Sequence, residues 1–349
     1  MPLYFYCSFV GIFLFALFSG FYNSLELMPA VGMILTFCLV YANAATFLRV
    51  DKRLFNGVIR LLFIVLLILA VVSIAGRLAG ISLPGIGLTD QEILLIGENS
   101  MFALFFAPVA ILHGKLIGNQ LRILAILVIL AVTLPNAVML IFCGIYSLIL
   151  LFYSPMSLRK KTQIALTTLA FGFLVIVTQA SYLSARFTVS VADMNLSSLI
   201  YAIHWIEVWE VVTQLKFLGD GIGEVSNILQ QNDFVIKIVK LYGDDLVYGT
   251  GVNAGHFYIS RLAGSIGYGF FLFLLLYVFS LIKSIKMTKR NLKNVPQSLI
   301  FLVVFIPELL FRTPSLLSFG LFWLMLGFCS LQLEKAEFRR GRVGDHYAG

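Results

Sequence analysis

Runs of about twenty apolar residues recur along this chain from Leu3 to Leu333, separated by short turns that carry most of its lysine and arginine. A hydrocarbon core about 30 Å thick takes roughly 20 helical residues at about 1.5 Å each, so each run has the length of one crossing. In lipid every backbone N–H and C=O must be satisfied within the structure itself, which makes helix the expected form. One long polar interval breaks the series, from about Ser181 to Arg261.

Composition agrees with this reading: 60% of the residues are hydrophobic, 12% are charged and the mean hydropathy is +0.97. Soluble domains carry about 25% charged residues. The expected fold class is an all-α polytopic membrane protein of about ten transmembrane helices, with one large extracytoplasmic loop between the seventh and the eighth. The helices are expected at Leu3–Tyr22, Leu27–Leu48, Val58–Ala79 and Asn99–His113, then two within Leu121–Tyr153, where TLPN at Thr133–Asn136 interrupts the run. They continue at Gln163–Tyr182, Ile259–Ile282, Leu299–Phe311 and Ser315–Leu333. Residues 1–180 thus hold seven helices, 181–258 the loop, 259–333 three further helices and 334–349 a polar tail. The first run lacks a basic flank and is longer than the roughly 7 to 15 residues of a signal-peptide core, so it reads as a retained helix.

Basic residues fix the expected orientation. Of 25 Lys and Arg, 18 lie in alternate turns, at Arg49–Arg60, Lys115–Arg122, Arg159–Lys161 and Lys283–Lys293, and in the tail. Short basic loops stay in the cytoplasm, which puts both termini there and the large loop outside. The net charge of +8 is parcelled into these turns and forms no basic face, so a nucleic-acid partner is not expected. Cys7, Cys38, Cys143 and Cys329 all fall in apolar runs, leaving no cysteine in the loop for a disulfide.

Within the loop, 197–224 reads as an amphipathic helix lying along the membrane, with Leu199, Ala202, Ile203, Ile206, Trp209 and Val212 as its apolar stripe. Ser197 is the expected N-cap, and Gly219, Gly221 and Gly223 are expected to end the helix and permit a turn. His204 and Glu207 read as part of a solvated polar face, and Trp205 and Trp209 as interfacial anchors. The GDGIG run lacks the strand that a dinucleotide fingerprint requires. No spacing of His, Cys, Asp or Glu matches a zinc or two-metal site.

The spans carry few charges near their centres, where ion-coupled pumps need them. Arg77, Glu98, Arg186, Arg261 and Arg312 instead fall at expected outer helix ends. An arginine offers a planar fork of donors suited to phosphate oxygens, and equally serves as an interfacial anchor. His256 stands five residues before Arg261, and on a helix starting near Asn253 it shares a face with Ser260, Ala263 and Gly267. Its imidazole has the pKa range of a base for a sugar hydroxyl, and the other account is a structural hydrogen-bonding role.

The segment GENSMFALFFAP, with Glu98, Ser100, Phe102 and Ala103, is similar to the E-P-S-x-F-A element of the O-antigen polymerase and O-antigen ligase family, with Asn99 in place of the proline. The order of GDGIG, a polar interval, His256 and the Gly-rich GHFYISRLAGSIGYG resembles the large-loop pattern of that family. TLPN stands where the family has a Ser-Arg helix break, here as Pro135 and Asn136, and Tyr201 stands near a usual arginine, leaving Arg186 as the early-loop arginine.

The resemblance implies an inverting, metal-independent glycosyltransferase of the bacterial cytoplasmic membrane, with its loop in the periplasm and no cofactor. A sugar hydroxyl would attack the anomeric carbon of an undecaprenyl-pyrophosphate-linked glycan. On that basis Arg186 and Arg261 are the expected pyrophosphate ligands, His256 and Arg186 catalytic residues, and Glu98 an orienting carboxylate. As polymerase the acceptor is another lipid-linked repeat, and a chain-length co-polymerase is an implied partner; as ligase the acceptor is lipid A-core. A non-catalytic glycan flippase is the reading from a different class.

Overall fold

The computed structural model describes residues 3–22, 27–49, 52–79, 92–93, 97–134, 136–153, 156–178, 196–220, 232–243, 257–290, 296–310 and 319–346. In chain order the helices are α1 (Leu3–Tyr22), α2 (Leu27–Arg49), α3 (Lys52–Leu78), α4 (Asn99–Ile117), α5 (Gln120–Thr133), α6 (Ala137–Tyr153) and α7 (Leu158–Thr178). There follow α8 (Leu196–Thr213), α9 (Asp233–Tyr242), α10 (Tyr258–Ile266), α11 (Gly269–Arg290), α12 (Gln297–Val304), α13 (Ile306–Leu310) and α14 (Phe319–His346). A two-residue antiparallel ladder, β1 (Glu92–Ile93) with β2 (Gly97–Glu98), pairs Glu92 with Glu98 just before α4.

Three of these helices are long and apolar enough to cross a membrane: α3 over Arg53–Gly76, α4 over Asn99–Ile117 and α11 over Gly269–Met287. Shorter apolar helices lie at Val10–Ser19, Ile34–Arg49, Gln120–Thr133, Val138–Phe152 and Gln297–Leu310. The exterior of α3 is a continuous apolar surface of Leu61, Ile64, Val65, Ile68, Val71 and Val72, all exposed in the isolated chain. By contrast α4 is 72% buried over its apolar window, against 28% for α3, which makes α4 a central helix. It packs against α3, α5, α6 and α12, while α14 packs on α12 and α2, and α1 on α11 and α2.

Several hydroxyls inside these helices find acceptors on their own backbone, as a lipid surrounding favours. Thr36 donates to the Gly32 carbonyl at 2.8 Å, Ser73 to Leu69 at 2.7 Å and Ser280 to Leu276 at 2.7 Å. Between helices, Tyr277 donates to the Leu302 carbonyl at 2.8 Å, and the Ser284 and Ser298 hydroxyls meet at 2.6 Å.

The breaks follow local chemistry. The long apolar run 121–153 divides into α5 and α6 at TLPN, where the Asn136 side chain accepts from the Val138 N–H at 2.8 Å and so starts α6. The helix expected at Leu299–Phe311 divides at Phe305, since Pro307 has no N–H to continue the ladder. The helix expected at Ile259–Ile282 divides at Gly267, whose φ of 54° lies in the left-handed region. The last helix does not stop at Leu333 but continues through the tail sequence to His346. On that extension Glu334 accepts from the backbone N–H groups of Gln297 at 2.6 Å and Ser298 at 3.3 Å, and from the Ser298 hydroxyl. A carboxylate there satisfies the open N-terminus of α12, whose own cap residue, Pro296, makes no side-chain bond.

Candidate functional site

The helix expected from 197 is α8, but its buried face is not the expected stripe. Leu199, Ile200, Ile203, His204, Glu207 and Val211 are buried, at the spacing of one helical face, while Trp205 and Trp209 are exposed. The reading of His204 and Glu207 as a solvated polar face is therefore corrected: both turn inward, at 0% and 3% exposure. Apolar residues surround α8 on all sides, so its pattern alone does not say which side packs. Ser197 lies inside the helix and not at its cap.

The helix ends earlier than the glycines that were expected to end it. The Lys216 N–H donates to the Val211 carbonyl at 3.1 Å and the Leu215 N–H to Val212 at 3.4 Å, with Leu215 in the left-handed region at φ 53°. This is a Schellman stop in which leucine occupies the usual glycine position. Gly219 has a different use. It lies against the end of α10, where a Cβ would collide with the Ser265 backbone.

The two segments are bonded where they cross. The Asp220 N–H donates to the Gly264 carbonyl at 2.7 Å, the Tyr268 N–H to Phe217 at 3.1 Å, and the Tyr268 hydroxyl to Val212 at 2.9 Å. The Gly219 N–H donates to the Ser19 hydroxyl of α1 at 3.0 Å. Lys216 and Asp220 form an ion pair beside this crossing. Gly267 sits under the same strand of chain, with a Cβ there 2.6 Å from both the Phe217 oxygen and the Leu218 carbonyl carbon.

Charge gathers along the α8–α10 seam. Glu207 Oε2 is 3.5 Å from His204 Nδ1, and Oε1 occupies the space where a side chain on Gly264 would begin. Arg261 stands one turn before Gly264 on α10 and is half-buried. Burial pushes the Glu207 carboxyl above the usual glutamate range, and the neighbouring His204 side chain opposes that rise. The seam thus places the Arg261 guanidinium on α10 and the Glu207 carboxyl on α8, two helices that pack together.

Of the residues expected to carry chemistry, Arg261 is in this seam, and Glu98 is on β2 immediately before α4. Arg77 lies in the last turn of α3. His256, Arg186 and Arg312 lie outside the described residues, although His256 precedes the buried Tyr258 of α10 by two positions. Sequence reading missed Glu308, a carboxylate only 2% exposed on α13. It lies close to Tyr258, and its oxygens fill the space above Gly320. The signal was its presence in the apolar run FIPELLF.

No protein-family model, curated protein or solved structure matches this chain.

Proposed function

We propose that the chain is an O-antigen polymerase, moving an oligosaccharide repeat from undecaprenyl pyrophosphate onto a second lipid-linked repeat. In this reading ten helices cross the bacterial cytoplasmic membrane, both termini are cytoplasmic and 181–258 faces the periplasm. The observation that carries it is Arg261, a cation held in a polar seam on the helix that begins two residues after His256. Sequence adds the ordered elements around Glu98, Gly219 and His256 that resemble the polymerase family.

Chemically, Arg186 and Arg261 hold the pyrophosphate and stabilise the charge that grows on it as the glycosidic oxygen leaves. His256 takes the proton of the acceptor hydroxyl while that oxygen bonds to the anomeric carbon. The carbon–oxygen bond to pyrophosphate breaks with inversion, releasing undecaprenyl pyrophosphate. Glu98 orients the imidazole or an arginine. Purified chain in detergent, given the lipid-linked repeat alone, tests this: products of two or more repeats are expected. Transfer only to lipid A-core identifies a ligase, and no transfer to either acceptor contradicts the enzyme reading.

A further inference from the structure

Along α8 the aromatic residues Tyr201, Trp205 and Trp209 recur every fourth position and so share one side of the helix, opposite the buried face of Leu199, Ile203 and Glu207. Trp205 is 47% exposed and Trp209 67%, while Tyr201 is half-buried. Each step of four residues rises about 6 Å, close to the length of one sugar ring with its linkage. Trp205 is held from behind. Its ring centroid lies 4.6 Å from that of Phe257, with the planes at 35°, and the His204 ring meets the same Phe257 edge-on at 6.2 Å. Phe257 is fully buried and stands in the chain between His256 and the first residue of α10.

The charge beside this row selects what it can hold. A helix that lies on anionic lipid carries Lys and Arg on its polar face, and α8 carries neither. Its carboxylate outside the seam, Glu210, accepts from the side-chain amides of Gln214 at 2.7 Å and Asn232 at 2.8 Å. A sugar ring is uncharged, hydroxylated at its rim and apolar on its C–H face, so it suits a flat indole bordered by amides and a carboxylate. An indole also has few side-chain torsions to fix, so it stacks at small entropic cost. We propose that Trp205 and Trp209 are glycan subsites on which successive sugar rings of the lipid-linked repeat stack, with Trp205, through Phe257, the one that adjoins the start of α10. This rests on the function proposed above and names where the sugars of that substrate bind.

The test compares Trp205→Leu, Trp205→Phe and Trp209→Leu with wild type, each as purified full chain in detergent. Transfer kinetics are measured with the lipid-linked repeat, and calorimetric binding with the repeat oligosaccharide released from it by mild acid. Each leucine variant is expected to raise KM about tenfold and to leave kcat within about twofold, because a stacked sugar ring is held alike in ground state and transition state. Trp205→Phe keeps a ring and should raise KM only about threefold. Kinetics like wild type in both leucine variants overturn the assignment and leave the indoles as headgroup anchors. A fall in kcat at unchanged KM also overturns it. If the wild type transfers no glycan, the polymerase reading fails and calorimetry decides this one. Oligosaccharide binding that weakens about tenfold in both leucine variants then upholds the subsites, and equal binding, or none by the wild type, overturns them.

Discussion

Gly219 and Ser265 lie in backbone contact: the loop segment that leaves α8 passes so close to the end of α10 that no Cβ fits between them. Replacing Gly219 with alanine must push backbone away from backbone, and no flexible side chain can yield. A loss of about 1 to 3 kcal/mol is expected, read as a lower unfolding midpoint in detergent. Gly172 on α7 is the control, since nothing lies within 4 Å of its added Cβ. Alanine there should be neutral or stabilising by about 0.5–1 kcal/mol. Equal losses at both positions would show that the crossing does not exist.

A pH dependence follows from Glu207. Its folded-state pKa is raised by burial above the ordinary 4.5, so the folded chain binds that proton more tightly than the unfolded chain does. The stability contributed is complete below 4.5 and is lost as pH rises through the folded value. Unfolding midpoints of wild type and Glu207→Gln, compared over that range, should therefore diverge, with the wild type losing ground as pH rises. Parallel curves would mean that the carboxylate is solvated.

Tryptophan fluorescence reports which side of α8 is outward. The chain has three tryptophans: Trp205 and Trp209 are 47% and 67% exposed on α8, and Trp323 on α14 is 5% exposed. In liposomes, brominated lipid should quench a Trp323→Phe variant strongly, because both remaining indoles are exposed and, in the proposed orientation, meet the headgroups. A double Trp205→Phe, Trp209→Phe variant should be quenched weakly. The reverse order would mean that both α8 indoles are shielded from lipid, against their exposure.

The helices were legible because length and apolarity are properties of single segments. Nearly every expected run is a helix, and the break at TLPN stands where Pro135 and Asn136 interrupt the series. What sequence did not reveal depends on neighbours. The direction of His204 and Glu207 is set by Gly264 on another helix, and a helix that is apolar all round carries no rotational signal. Gly219 reads as a turn former and Gly267 as a small residue on a helix face, yet both let two backbones cross. Glu334 reads as part of a polar tail because its partners, Gln297 and Ser298, lie in a helix far along the chain. Glu308 leaves little trace in the sequence, since one carboxylate barely alters the hydropathy of its run.

The most direct test of the central claim is the surface-glycan ladder of cells lacking this chain, complemented with wild type, His256→Ala or Arg261→Ala at matched membrane levels. The account predicts that deletion leaves core carrying a single repeat, that wild type restores the ladder and that both variants fail to do so. A full ladder in the deleted cells, or full-length polymer from either variant, would contradict it.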